Sequence, residues 1–314
     1  MKKINNKILI ITLLSLVGVF VLSKVFRSPK LESNLRKDLV SVDTATVTEL
    51  RVTPSNSPGQ IIKLTRNGKI WSLENDGKKF SADMSAIKNA LGTLAALDAE
   101  RMVSRKKEKW ETFNVGEKAT NVSVYVNGDQ KANLSIGKSG FTQGGGGPFG
   151  GGGYTYVRLS DEDEVYSVKG FLESTFNRSL NDWRDKSFLR VNRDEIRKIS
   201  FTYRGDSSFV MEKKDSLWYA GTQLIDQSKL DSYLSQVSFK NLNSFADSFN
   251  APVDTDALIK IEGSSGELAT IEAWKDAAGW TLRSSLQKEV FFSGSGSSVD
   301  KDILVGPKHF GLSR

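Results

Sequence analysis

Cysteine is absent from this 314-residue chain, and histidine occurs once. The first absence excludes disulfides, zinc–thiolate sites, thiol nucleophiles and a lipid-modified cysteine. The second leaves the commonest general base and metal ligand at a single position. That position is His309, in Gly-Pro-Lys-His-Phe-Gly. A tail is a poor place to hold a catalytic base to the tolerance that chemistry needs, so His309 is read as a surface or packing residue. No catalytic residue, metal site or cofactor is expected.

Excess charge is also scarce where a nucleic-acid partner would need it. The chain carries +7 overall, yet Lys2, Lys3, Lys7, Lys24, Arg27, Lys30, Arg36 and Lys37 face only Glu32 and Asp38 in the first 40 residues. Only about +1 is left for everything that follows. No nucleic acid is expected as a partner.

Long apolar runs are limited to one. Residues 8–23, between Lys7 and Lys24, are uncharged, and Val25 and Phe26 extend them. With the flanking lysines snorkelling, the run can cross a hydrocarbon core about 30 Å thick. A cleaved signal peptide shares the basic start and apolar core, but Lys24, Phe26 and Arg27 stand where a small-residue cleavage motif belongs. Residues 1–30 are therefore read as a single transmembrane anchor with its flanks, and 31–41 as a linker. Basic residues on both sides leave the direction of insertion open. The very short leading tail favours placing the bulk of the chain outside the cytoplasm.

Beyond the linker the chain matches itself at an offset of about 135 residues. Trp71 answers Trp218, and Ala82-Asp83-Met84-Ser85 answers Ile225-Asp226-Gln227-Ser228. Glu111-Thr112-Phe113-Asn114 answers Asp247-Ser248-Phe249-Asn250, and Gly153-Tyr154-Thr155 answers Gly279-Trp280-Thr281. Matches in one order predict two tandem copies of one unit, 42–185 and 186–314. Leu50 and Val52, Ile62 and Leu64, and Trp71 and Leu73 alternate as half-buried strands, with Asn67-Gly68 and Asn127-Gly128 as tight hairpin turns. Met84, Ile87, Leu91 and Leu94 then line one face of a helix that Ser81 or Asp83 caps; Leu230, Tyr233, Leu234 and Val237 do so behind Asp226. The fold class predicted is α+β: an N-terminal transmembrane helix, then two antiparallel-sheet-plus-helix units. Residues 171–183, with Phe171, Leu172, Phe176 and Leu180 apolar, read as a spacer helix.

Several segments imitate functional motifs. Ile136-Gly137-Lys138-Ser139 has the end of a phosphate-binding loop, but Ala132 replaces its first glycine and no helix follows. Asp161-Glu162-Asp163-Glu164 lacks a calcium-loop pattern and reads as a solvated hairpin turn. Six tryptophans suggest a carbohydrate platform, although the recurrence of Trp71 at Trp218 favours core packing for that pair. Eight of the 27 glycines fall in the loop 144–153, around Pro148-Phe149. It reads as a flexible insertion, and alternatively as a mobile loop that docks Phe149 into a partner protein.

The residues Lys69-Ile70-Trp71-Ser72-Leu73, Ala82-Asp83, Phe113-Asn114-Val115, Leu134-Ser135-Ile136-Gly137, Tyr156-Val157-Arg158 and the junction from Trp183 to Leu189 together resemble the domain-of-unknown-function 4340 family (DUF4340). The resemblance covers most of residues 45–300. It implies a bacterial, membrane-anchored protein, often associated with ABC-type export systems of the gliding-motility auxiliary kind, and it supplies no catalytic residues. The expectation is a non-enzymatic protein-binding module of the bacterial inner membrane, single-pass, with its C-terminal domain in the periplasm and an ABC transporter as partner. Two alternatives stand beside it. A cell-envelope ligand or glycan binder needs exposed Trp or Tyr in a concave patch; a carboxylate-dependent hydrolase needs two acids about 5 to 10 Å apart in a cleft.

Overall fold

The computed structural model describes residues 38–312, apart from 76, 142–151 and 206–207, together with Leu13 and Ser15. The predicted anchor, most of the glycine run and Phe149 lie outside the described residues. No helix among the described residues is long and apolar enough to cross a membrane.

The fold is α+β, rich in antiparallel sheet. Strands β1 (Glu49–Thr53), β2 (Ile62–Asn67), β3 (Ile70–Asn75), β4 (Lys78–Ser81), β5 (Ala99–Ser104), β6 (Thr120–Val126), β7 (Asp129–Phe141), β8 (Gly153–Leu159) and β9 (Val165–Lys169) form a sheet in the order β4-β3-β2-β1-β6-β7-β8-β9-β5. Strands β10 (Ser187–Arg190) and β15 (Phe239–Asn241) make a separate short pair. The second large sheet contains β11 (Ile196–Tyr203), β12 (Phe209–Lys214), β13 (Leu217–Ala220), β14 (Gln223–Leu224), β16 (Ala257–Gly263), β17 (Gly266–Asp276), β18 (Gly279–Ser284) and β19 (Phe292–Ser293). Its order, β14-β13-β12-β11-β16-β17-β18-β19, runs place for place with the first eight strands of the other sheet.

Local chemistry explains the elements. Alternation buries Leu50, Val52, Ile62, Leu64, Trp71 and Leu73. Asn127 and Gly128 take φ of 52° and 90° between Val126 and Asp129, the doubly positive turn that matches strand twist. The β2–β3 turn differs by one residue from the Asn67-Gly68 expectation. Asn67 pairs with Ile70, so the loop is Gly68-Lys69, with the positive φ at Gly68. The two long helices among the described residues are α1 (Met84–Ala95) and α2 (Gln227–Ser238). Asp83 Oδ1 accepts from the amides of Ser85 (2.8 Å) and Ala86 (3.2 Å), and Asp226 Oδ1 from those of Ser228 (2.9 Å) and Lys229 (3.2 Å). Two orphan amides are thus satisfied at each N-terminus, and Asp83 rather than Ser81 is the cap.

Two expectations are corrected. Ile87, Leu91 and Leu94 are buried, but Met84 is 47% exposed. The Asp83 amide bonds to the Trp183 carbonyl at 2.8 Å, which holds the first turn at the rim, where Met84 lines a surface hollow. The spacer is two turns, Leu172–Phe176 and Leu180–Asp182, because Ser179 and Asp182 form a reciprocal capping box that starts a new turn. Phe171 is exposed and sits edge-on to Phe141, 4.9 Å between centroids.

The chain forms two compact units. Among the described residues, one joins those up to Lys63 with those of Lys88–Asn177; the other joins those of Leu64–Ile87 with those of Arg178–Arg314. In the first unit, three of the short motifs meet. The Phe113 carbonyl packs so closely on Gly137 that a Cβ there would lie 2.2 Å from it. Arg158, 9% exposed, donates to the Val115 carbonyl (3.2 Å) and Ser135 Oγ (3.2 Å), and its guanidinium lies 3.9 Å from the Trp110 ring centroid. Burial lowers its pKa, with Asp163 pulling the other way. Gly137→Ala is accordingly expected to destabilise by about 1–3 kcal/mol, since backbone cannot yield as a side chain can. Gly92→Ala, on the exposed side of α1 with open space at its Cβ, is expected to stabilise by about 0.5–1 kcal/mol. Urea titration of both variants checks the contrast.

In the second unit, Phe310 is fully buried in an aromatic core. Its ring lies 5.2 Å from Tyr233, 5.9 Å from Phe209 and 6.1 Å from Phe201. Tyr233 and Tyr203 donate to the Ile303 and Val305 carbonyls at 3.2 and 2.8 Å, and burial pushes both phenols up.

Candidate binding cleft

A cleft of about 430 Å³ opens within the second unit, lined by Lys78, Lys79, Phe80, Asp247, Phe249, Glu289 and Phe291. Separate segments bring these residues together. The turn at Gly77 sends Lys78 to Phe80 along β4, whose end is tied to the junction by the Asp185 amide and the Ser81 carbonyl at 2.8 Å. Ser244 to Ala246 run along Phe291 to Ser293, through the Ala246 amide to the Phe291 carbonyl (2.8 Å) and the Ser293 amide to the Ser244 carbonyl (2.9 Å).

Arg184 lies beneath two of the lining residues, Phe80 and Asp247, and holds both. Its side chain is 1% exposed, and its guanidinium lies 3.8 Å from the Phe80 centroid and 3.6 Å from that of Phe245. Nη1 donates to Asp247 Oδ2 at 2.6 Å and to Asn181 Oδ1 at 3.1 Å, while Nη2 donates to Asp247 Oδ1 at 2.9 Å. The fork matches the carboxylate at both oxygens, a strong form of this pairing. Lys78 Nζ donates to the Asp247 carbonyl at 3.2 Å. The far wall is aromatic: Phe249 and Phe291 meet edge-on at 5.4 Å, with Trp274 packed against them at 5.5 and 5.8 Å.

The residues singled out by sequence lie elsewhere. His309 is exposed, edge-on to Phe310 at 4.9 Å; partial burial, then Lys229, holds its pKa below the ordinary value. Gly137-Lys138-Ser139 lies inside β7, so it presents no helix terminus to a phosphate. In the Asp161–Glu164 turn, Glu162 accepts from Tyr166 Oη at 2.7 Å, Asp163 pairs with Lys107 at 3.4 Å and Glu164 with Arg105 at 3.9 Å. Among the described residues no group of three acids or histidines is placed to hold a metal. Trp71 and Trp218 are buried, as core packing requires. Phe149, offered as a docking residue, lies outside the described residues.

Sequence reading missed the cleft. Two signals pointed to it: the match of Glu289-Val290-Phe291 to Glu164-Val165-Tyr166 in the internal repeat, and the acidic residue that opens each Phe-Asn lead-in. Glu111 serves locally, accepting from the Glu117 amide at 3.1 Å; Asp247, its counterpart, takes the buried arginine.

Packing now accounts for the short motifs, and one comparison decides the family. The model of the family described as Domain of unknown function (DUF4340) matches residues 71–258. The chain belongs to the DUF4340 family. No curated protein matches it. The DUF4340 region contains β4, Arg184 and Asp247, so the arginine clamp and the lysine rim of the cleft fall inside it. Glu289 and Phe291 fall beyond it.

Proposed function

We propose that this DUF4340 protein is a non-enzymatic, protein-binding module, built from a duplicated α+β unit and held to a bacterial inner membrane by its N-terminal apolar run. Its C-terminal part would stand outside the cytoplasm, as an accessory subunit of an ABC-type transport system. The observation that carries the binding role is the cleft. Phe249 and Phe291 line it, its carboxylate Asp247 is engaged at both oxygens by Arg184, and Lys78, Lys79 and Glu289 complete its charged lining. Such an arrangement supports recognition, because the Arg184–Asp247 pair holds the shape of an apolar surface edged by charge. The parallel strand orders of the two sheets support the duplication. The uncharged run between Lys7 and Lys24 supports the anchor, and the family resemblance supports the transporter.

Affinity purification of the tagged full-length protein from detergent-solubilised membranes tests the reading. The expected result is recovery of an ABC permease and its ATPase, identified by mass spectrometry. Recovery of the protein alone would overturn the accessory role.

A further inference from the structure

We infer that the cleft takes a single carboxylate borne on an apolar group, the carboxy terminus of a peptide that ends in a large hydrophobic residue. This deepens, and rests on, the reading of the cleft as a protein-binding surface. Charge sets the sign of the ligand. Asp247 is neutralised where it stands by the two bonds from Arg184, which leaves Lys78 and Lys79 against Glu289. The rim therefore has a cation in excess. Lys78 is fixed by its bond to the Asp247 carbonyl, which uses one of the three donors an ammonium carries. Lys79 and Glu289 are exposed on the cleft and have no ion-pair partner among the described residues.

Shape sets the body of the ligand. Phe249 and Phe291 are half-buried, so their rings offer apolar surface to the cleft, and Trp274 supports them from within the fold. Phe80 already carries the Arg184 guanidinium on one face of its ring, so that face is closed to a ligand. The volume of about 430 Å³ sits in the usual range for small-ligand sites, enough for a terminal side chain with its carboxylate. Glu289 adds an acceptor on the aromatic wall. A peptide can use it through a backbone N–H, whereas a simple fatty or aryl acid cannot, which favours the peptide as the source of the carboxylate.

Calorimetric titration of the full-length protein in phosphatidylcholine nanodiscs tests the inference with three probes. They are an acetylated Ala-Ala-Phe peptide with a free carboxylate, the same peptide as its carboxamide, and 3-phenylpropionate. The acid peptide is expected to bind, and amidation to weaken it by about tenfold or more, as loss of a charged contact should. A Lys78→Gln/Lys79→Gln variant should show a loss of similar size while its melting curve stays unchanged. Phenylpropionate binding as tightly as the acid peptide would overturn the peptide as the source of the carboxylate. Equal binding of acid and amide, or no binding of the acid peptide at millimolar concentration, would overturn the ligand class itself. The acid–amide contrast needs no variant, so it stands even where the double substitution disturbs the fold. Transporter recovery without peptide binding would remove this ligand and leave the accessory role intact.

Discussion

Asp247→Ala should lower the free energy of unfolding by about 3–5 kcal/mol, although the side chain it removes is 40% exposed. The cost arises at the other partner. Arg184 is 1% exposed and enclosed by Phe80 and Phe245, so among the described residues its guanidinium keeps only the Asn181 hydrogen bond once the carboxylate is gone. A charge left buried without its partner is among the most destabilising changes a point substitution can make. Arg184→Met should cost less, under about 2 kcal/mol, because methionine fills the slot between two phenyl rings and Asp247 can turn to water. It also removes the buried Nε, which has no acceptor among the described residues. The double variant should then be no less stable than Arg184→Met alone. Urea unfolding followed by tryptophan fluorescence gives the three values, and an Asp247→Ala effect smaller than that of Arg184→Met would contradict this account of the clamp.

Phe310→Ala should be comparably severe, at about 3–5 kcal/mol. The ring is fully buried and its edge meets Tyr233 at 5.2 Å, with Phe201 and Phe209 close by. Those neighbours are held by the sheet and by α2, so they cannot collapse into the space a missing phenyl leaves. The substitution leaves the Arg184 clamp untouched in chemistry, so a melting temperature measured beside that of Asp247→Ala separates core loss from charge loss.

Much of the scaffold is legible in the sequence. Period-two burial at Leu50, Val52, Ile62, Leu64, Trp71 and Leu73 follows directly from alternation, and an aspartate just before an amphipathic run marks a helix start at both Asp83 and Asp226. What failed was local in a different way. Asn67-Gly68 has the composition of a two-residue turn, but strand register decides which residues occupy the loop, and register is set by pairing across β2 and β3. Met84 keeps helical spacing with Ile87, yet spacing does not say where the packed face ends. The cleft was illegible for a deeper reason. Residues 78–80, Arg184, residues 247–249 and residues 289–291 meet only in the folded chain, and no spacing rule connects them. Arg184 and Asp247 were each visible inside short motifs, but their pairing was not.

The division of the chain into compact units bears on how the protein is made. Leu64–Ile87 belongs with Arg178–Arg314, so the first piece of that unit leaves the ribosome long before the rest. Lys78 and Phe80 must wait through the synthesis of the whole intervening segment before Arg184 and Asp247 exist to receive them. Domains that are continuous in sequence can fold as they emerge; this one is obliged to fold late, with a high sequence separation between its contacts. For the same reason no single cut releases it. A fragment beginning at Arg178 would lack the β3–β4 hairpin, leaving Arg184 with one aromatic face and the cleft without its lysine rim.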